Sequence, residues 1–214
     1  MRARLFIFLA LTAAVAPAAE PRNLDLVKAD LRDYVQSGEY LRAIGAVAAQ
    51  ADAWLVERAA KRVPGERLAV VFDLDETLLS NWPHIDAMGL GYTPAAWETW
   101  VVAAKAPPIE PVRAVYRTAR RLGIEIIYIT GRRERQRPGT EKNVRAIECG
   151  EFVELVMKPD DWKGTAAEFK AAARARVTAR GHKIVANVGD QDSDLTGGHA
   201  ERTFKLPNPF YLSK

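Results

Sequence analysis

The stretch Leu68-Ala-Val-Val-Phe-Asp-Leu-Asp-Glu-Thr77 decides the fold. Its apolar run, residues 68–72, is short and continuous and follows the turn residues Pro64-Gly65. That pattern predicts a β-strand buried on both faces, as in a parallel sheet. The carboxylates of Asp73 and Asp75 follow this strand at once, and burying such charges is costly unless something compensates them. Because ligands of parallel α/β sheets bind at the carboxyl ends of the strands, we expect a polar site here.

Working outward, helical and strand patterns alternate along the chain. Apolar spacing, capping residues and glycine stops predict helices over 24–35, about 41–62, 111–122 and 165–180. Short apolar runs predict further strands over 124–129, 152–157, 183–188 and 203–206. Residues 82–110, rich in aromatic, Pro and Gly residues, are expected to be irregular. The alternation predicts an α/β fold with a mostly parallel sheet covered on both faces.

Composition limits the kind of site. A chain of 214 residues fits one domain. One cysteine excludes an intrachain disulfide and any cysteine-based metal site, and three scattered histidines do not favour a histidine cage. We therefore expect any metal to be bound by oxygen. The net charge of +4 favours anionic ligands without identifying nucleic acid as a partner, and we expect no nucleic-acid polymer to bind.

The first residues have the form of a secretory signal. Arg2 and Arg4 precede an apolar run over 5–16, and Ala16-Pro17-Ala18 offers small residues to a signal peptidase. The run is short for a membrane span, although an uncleaved membrane anchor is the alternative. We expect residues 1–18 to be removed and residues 19–214 to form a single domain. The mature protein is then periplasmic or secreted and not attached to the membrane.

Polar residues stand at three predicted strand ends. Asp73 and Asp75 follow the first strand, Thr130-Gly131-Arg132 ends the second, and Gly189-Asp-Gln-Asp-Ser-Asp194 follows the fourth. Either of the first two acids alone could be a solvated, helix-capping turn residue. The whole set in this order favours a site, and a hard divalent cation such as Mg²⁺ would offset its charge.

These residues carry a family resemblance. The motifs Val70–Asn81, Ile127–Arg132 and Val188–Leu195 resemble the haloacid dehalogenase (HAD) superfamily of phosphohydrolases. More narrowly, the chain resembles secreted acid phosphatases of the class B/C type (subfamily IIIB) and the related plant vegetative storage proteins. The passages that carry this narrower match are 34–40, 80–83, 184–191 and 204–211. The resemblance implies a three-layer HAD-like Rossmannoid fold, with a helical extension over 24–62 and a small cap-like insertion over 80–110.

The resemblance also implies roles for the strand-end residues. Asp73 matches a nucleophile that forms an aspartyl-phosphate, and Asp75 matches a general acid that then acts as a base. Mg²⁺ would be bound by an Asp73 oxygen, the Asp75 backbone carbonyl and Asp190, with Asp194 as a further ligand or in the outer shell. Thr130 matches a hydroxyl that hydrogen-bonds the phosphoryl oxygens.

A lysine and several substrate-binding residues complete the expected site. The family pattern favours Lys170 as the cation that neutralises the phosphoryl group, with Lys163 as the next candidate, although either could be a solvated charge. The residues expected to bind substrate are Thr77, Asn81, Trp82, Gly131 and Arg132.

Two further clusters allow two interpretations each. Arg133, Arg135 and Arg137 could steer anionic substrates or could form a solvated loop. The aromatic residues within 82–100 could stack on planar leaving groups or could only fix the loop to the core.

The sequence thus predicts a Mg²⁺-dependent acid phosphatase that acts on small phosphomonoesters, with aryl phosphates and nucleoside monophosphates preferred. Two alternatives stay open: a non-catalytic storage or binding protein that kept the fold, and a phosphotransferase that uses the same intermediate. An oligomer is compatible with the sequence.

Overall fold

The computed structural model describes residues 20–213, so the predicted signal segment 1–18 lies outside the described residues. The helices are α1 (Leu24–Gln36), α2 (Glu39–Ala60), α3 (Trp82–Ala87), α4 (Pro94–Ala103), α5 (Glu110–Arg121), α6 (Arg137–Ala146), α7 (Ala166–Ala179) and α8 (Asp192–Leu195). The strands are β1 (Arg67–Phe72), β2 (Glu125–Arg133), β3 (Glu154–Lys158), β4 (His182–Gly189) and β5 (Thr203–Lys205). Within this part of the chain, no helix is both long and apolar enough to cross a bilayer.

The strands form one sheet in the order β3-β2-β1-β4-β5, and every neighbouring pair is parallel. This confirms the predicted α/β class. The strand with the deciding sequence, β1, lies at the centre between β2 and β4. Their carboxyl ends therefore meet at one edge of the sheet, where open α/β sheets bind their ligands.

Alternate residues of β1 face two separate apolar layers. Leu68, Val70 and Phe72 join a core shared with α2 and α5. Ala69 and Val71 pack in a second core with α7 on the opposite face. Since side chains alternate along a strand, a sheet covered on both faces needs an unbroken apolar run, which is what 68–72 provides.

The prediction that residues 82–110 are irregular was wrong, because this segment contains α3 and α4. Both helices have a proline in the first turn, where the missing N–H costs nothing. Thr93 caps α4, its hydroxyl accepting a hydrogen bond from the backbone N–H of Ala96 at 3.3 Å. Two of the prolines that suggested irregular structure, Pro83 and Pro94, therefore mark helix starts.

The helical extension contributes side chains to the main core. Ile44 of α2 is fully buried in the core cluster that also contains Val112 of α5, whereas Leu41 on the same helix is 47% exposed. We expect Ile44→Ala to lower the free energy of unfolding by about 2–5 kcal/mol, because it leaves a cavity.

Leu41→Ala is the matched control, and it should change that free energy by no more than about 0.5 kcal/mol. Urea unfolding followed by circular dichroism measures both. Equal, small effects of the two substitutions, or a separate transition for the helices, would show that the extension is not part of the domain core.

Candidate active site

Three strand ends bring the predicted polar residues to one edge of the sheet. Asp73 follows β1, and its backbone N–H donates to the Val188 carbonyl of β4 at 3.0 Å. Thr130 lies within β2, and Asp190 follows β4 directly. The sheet itself therefore sets the spacing of these groups.

A cavity of about 580 Å³ opens at this edge. Its floor carries most of the residues expected from sequence: Asp73, Asp75, Asn81, Gly131, Arg132, Lys170, Asp190 and Asp194. The lining also includes the less buried residues Tyr92, Trp97, Arg133, Arg135, Lys158 and Tyr211, which we take as the mouth of the cavity. The cavity is thus acidic at its floor and basic and aromatic toward its mouth.

Lys170 of α7 joins two of the acids. Its Nζ donates to Asp73 Oδ1 at 2.6 Å and to Asp194 Oδ1, and all three side chains are buried. Burial alone would lower the pKa of Lys170, but the charges of Asp73 and Asp194 outweigh it and raise that pKa above its usual value. Lys170 is therefore a charged ammonium in contact with the candidate nucleophile. Lys163 is exposed and does not line the cavity.

Asp190 is held by donors from three parts of the chain. The Thr77 hydroxyl donates to its Oδ1 at 3.0 Å. The side-chain amides of Gln191 and Asn208 each donate to its Oδ2 at 2.7 Å. Thr77, expected to bind substrate, thus positions an acid instead, and Asn208 is a contributor that sequence reasoning missed.

The acids form a cluster that suits a hard cation. One carboxylate oxygen each from Asp73, Asp190 and Asp194 lie within 4.8 Å of one another. Burial raises the pKa of Asp73. Lys170 acts in the opposite direction and lowers this pKa, but the neighbouring acids offset part of that lowering. Burial and Asp194 likewise raise the pKa of Asp190. This excess of buried negative charge, all on oxygen, fits a divalent ion such as Mg²⁺.

Asp75 is held apart from this cluster by Arg132 and Asn81. Arg132 forms a forked ion pair with it, from Nη2 to Oδ1 at 2.7 Å and from Nε to Oδ2 at 3.0 Å. Asn81 Nδ2 donates to the same Oδ1 at 2.9 Å. The Arg132 guanidinium lies over the Trp97 ring, 5.5 Å from its centroid. Arg132 and Asn81, both expected to contact substrate, therefore orient an acid at the cavity floor.

Glu76 is a buried acid for which the sequence suggested no role. Its backbone is in the left-handed region, with φ of 54°. Its carboxylate accepts from the Asn81 backbone N–H at 2.6 Å, Asn81 Nδ2 at 3.1 Å and the Tyr211 hydroxyl at 2.6 Å. Burial, with a contribution from Asp75, raises the pKa of Glu76 to about 8. Its position in the first motif was visible, but its burial depends on the distant Tyr211.

The remaining expected residues divide into two groups. Thr130 is fully buried, and its hydroxyl accepts from the Arg132 backbone N–H at 3.2 Å, next to Gly131 in the cavity wall. Trp82 packs on Phe210 at 5.1 Å between ring centroids and does not line the cavity. Of the arginine cluster, Arg133 and Arg135 line the cavity, whereas Arg137 pairs with Glu134 outside it. Trp82 is therefore not placed to contact a substrate in the cavity.

Comparison with known proteins shows which proteins the chain is similar to. The family model described as HAD superfamily, subfamily IIIB (Acid phosphatase), matches residues 9–214. Vegetative storage protein 1 of Arabidopsis thaliana is 35% identical over 145 residues, covering 66% of this chain and 54% of that protein. Acid phosphatase 1 of Solanum lycopersicum is 36% identical over 146 residues, covering 66% of this chain and 57% of that protein. The chain thus spans just over half the length of these relatives.

A solved structure extends the similarity to nearly the whole chain. The class C acid phosphatase from Bacillus anthracis superposes with a TM-score of 0.68 at 26% identity. The match covers 88% of this chain and 85% of that one.

The unusual burial of Glu76 predicts a pH dependence of stability. Its pKa is about 8 in the folded chain against an ordinary 4.5, so the folded state keeps a proton that the unfolded state releases. The free energy of unfolding should therefore fall as the pH rises from about 4.5 to about 8. In Glu76→Gln this fall should be smaller, because the remaining buried acids alone produce it. Urea unfolding between pH 5 and pH 8 in EDTA measures the difference.

Glu57→Gln is the control for this measurement, because Glu57 is exposed on α2 and its pKa is lowered by Lys61. It should retain the fall seen in the wild type. If Glu76→Gln also retained the full fall, Glu76 would be ionised in the folded chain, and its assigned proton would be wrong.

Proposed function

Because the chain belongs to subfamily IIIB of the HAD superfamily, a family of acid phosphatases, we propose that it hydrolyses small phosphate monoesters through an aspartyl-phosphate. The observation that carries the proposal is the buried contact of Asp73 with Lys170 at 2.6 Å, on the floor of an open cavity. A carboxylate beside a fixed ammonium can approach a phosphate dianion that would otherwise repel it.

In the proposed reaction, an Asp73 oxygen attacks phosphorus and Lys170 offsets the charge of the phosphoryl oxygens. Asp75 gives its proton to the departing ester oxygen, and then takes a proton from the water that cleaves the aspartyl-phosphate. Asp75 accepts hydrogen bonds from Arg132 and Asn81 and is separate from the cluster around Asp73. This separation supports a different role for each of the two acids. Gly131 lines the cavity and follows the buried Thr130, and this supports our proposal that the segment binds the phosphoryl group.

We propose Mg²⁺ as the cofactor, held by Asp73, Asp190 and Asp194 together with the Asp75 backbone carbonyl. The support is the acidic cluster within 4.8 Å and its excess negative charge. When bound, such an ion offsets the repulsion between the nucleophile and the phosphate.

The cavity mouth supports a preference for planar leaving groups. Trp97 and Tyr92 line it beside Arg133, Arg135 and Lys158. We propose broad specificity in which aryl phosphates and nucleoside monophosphates gain from stacking, by about 0.5–1.5 kcal/mol per aromatic contact. Trp82 and Trp100 do not line the cavity, so this proposal rests on Trp97 and Tyr92.

Two other functions use the same site. A storage protein is favoured by the similarity to Vegetative storage protein 1 of Arabidopsis thaliana, and it would show no turnover. A phosphotransferase would pass the phosphoryl group to an alcohol. The intact set of Asp73, Asp75 and Lys170 favours turnover over storage. We also propose that the protein is exported, on the signal-like residues 1–18.

The central test is phosphate release by the chain from residue 19. We expect hydrolysis of p-nitrophenyl phosphate and a nucleoside monophosphate, with slower hydrolysis of glycerol phosphate. EDTA should abolish it and Mg²⁺ should restore it, because the acidic cluster needs a cation. Mg²⁺ should also raise the melting temperature of the EDTA-treated protein.

Asp73→Asn is the matched inactive variant, because the amide is nearly isosteric but a poor nucleophile. It should abolish turnover and retain the fold. Activity of more than a few per cent in Asp73→Asn would rule out the covalent route, and full activity after chelation would rule out the metal. Added alcohols that raise product release without raising phosphate release would identify a phosphotransferase.

The contact between Lys170 and Asp73 predicts a sharp difference between two lysines. Lys170→Ala should lower kcat on p-nitrophenyl phosphate by about 10²-fold or more, by analogy with the loss of a fixed group that stabilises transition-state charge. Lys163→Ala, which removes an exposed charge, should leave kcat nearly unchanged. Circular dichroism confirms that each variant is folded. The reverse pattern would show that Lys163 carries the role assigned to Lys170.

A further inference from the structure

A chain of hydrogen bonds runs from helix α4 to the carboxylate of Asp75. The indole Nε1 of Trp100 donates to Asn81 Oδ1 at 2.7 Å. Asn81 is buried, with 1% of its surface exposed, and its Nδ2 donates to Asp75 Oδ1 at 2.9 Å and to Glu76 Oε2 at 3.1 Å. Trp100 itself does not line the cavity. A residue outside the cavity is thus connected to a charged group on its floor.

The chemistry of the donor groups fixes the direction of these hydrogen bonds, from Trp100 through Asn81 to Asp75. An indole N–H can only donate, so the atom of Asn81 that faces Trp100 must be the carbonyl oxygen. The amino group of the same amide must then face the acceptor oxygens Asp75 Oδ1 and Glu76 Oε2. The indole thus adds a contact at the other end of the amide, and without it the Asn81 side chain is held at its amino end only.

The contacts of Asp75 are unequal between its two oxygens. Oδ1 accepts from Asn81 Nδ2 and from Arg132 Nη2 at 2.7 Å, whereas Oδ2 accepts from Arg132 Nε at 3.0 Å. Asn81 therefore helps to make Oδ1 the Asp75 oxygen that accepts more hydrogen bonds from the protein. Oδ2 is left with the Arg132 Nε contact alone.

We propose that Trp100 is a positioning residue for the proton donor Asp75, and that it acts through Asn81. The inference rests on the proposed phosphatase function. His84 stacks on the Trp100 ring, with centroids 5.4 Å apart and planes inclined by 15°. The face of the indole ring is therefore held in place as well as its N–H. The cap-like segment thereby orients the acid at the cavity floor.

The proposed role concerns one proton. As the Asp73 oxygen bonds to phosphorus, the bond from phosphorus to the ester oxygen breaks. The proton of Asp75 moves to that oxygen, so an alcohol departs and Asp75 becomes a carboxylate. The p-nitrophenolate anion is stable and leaves readily without this proton, whereas the alkoxide of glycerol needs it. A misplaced Asp75 should therefore slow the cleavage of glycerol phosphate more than that of p-nitrophenyl phosphate.

Trp100→Phe tests the proposal, because it keeps an aromatic ring and removes only the N–H donor. We expect kcat/KM for glycerol phosphate to fall at least about tenfold further than kcat/KM for p-nitrophenyl phosphate. Both substrates are measured on one preparation with Mg²⁺ present, so the ratio does not depend on the folded fraction. The ratio also separates positioning from a general loss of structure, which would lower both values equally.

Trp54→Phe is the matched control. Its indole Nε1 donates to the Val185 carbonyl at the same distance of 2.7 Å, but in the core between α2 and the sheet. This variant should lose comparable stability and keep the wild-type ratio of the two substrates. A change of ratio in Trp54→Phe would show that the ratio reports loss of any buried indole bond, and would overturn the proposal.

A double-mutant cycle tests the path through Asn81. Asn81→Ala should shift the substrate ratio in the same direction as Trp100→Phe, and adding Trp100→Phe to Asn81→Ala should shift it no further. Additive shifts would overturn the path, and equal losses on both substrates in Trp100→Phe would overturn the positioning role. A larger loss on p-nitrophenyl phosphate would instead mean that Trp100 contacts the leaving group. A wild-type chain inactive on both substrates would overturn the proposed function, and this inference with it.

Discussion

The structure of the site depends on the positive charge that Lys170 places against two buried carboxylates. Three acids at the carboxyl ends of β1 and β4 converge within 4.8 Å, and their repulsion would be large in a medium that excludes water. Helix α7 supplies the opposing charge, with the Lys170 ammonium on both Asp73 and Asp194. One turn later, the buried Arg174 donates to the backbone carbonyls of Asp194, Thr196 and Gly198. A single helix therefore offsets part of the charge of the cluster and also fixes the loop that carries one of its acids.

Around this charged centre, hydrogen-bond donors come from distant parts of the chain. Asn208 reaches Asp190, and Tyr211 reaches Glu76, so the C-terminal segment closes one side of the site. Buried polar groups are costly when unpaired, and a site with this many acids needs donors from several elements to satisfy them. Asn208 and Tyr211 are therefore part of the site.

How much of the structure could be predicted from sequence depends on how far apart along the chain the contacting residues lie. The strand at 68–72 and the acids after it were predictable because an apolar run and its polar end are local patterns. The pairing of Lys170 with Asp73 joins residues 97 positions apart, and only the family pattern indicated it. No pattern in the sequence connected Tyr211 to Glu76, which lie 135 positions apart. The error at 82–110 has another cause: prolines that begin α3 and α4 resemble prolines that break helices.

Two tryptophans about one turn apart on α4 make different contacts with the site. Trp97 lines the cavity and lies over the Arg132 guanidinium, while Trp100 points its indole N–H at Asn81. Arg132 and Asn81 both donate to the Asp75 carboxylate. The helix that shapes the cavity mouth thus also holds both supports of Asp75. Since these contacts share one short helix, the position of α4 bears on both supports of Asp75. In the reaction that we propose, leaving-group recognition at the mouth and leaving-group protonation by Asp75 therefore both depend on where α4 lies.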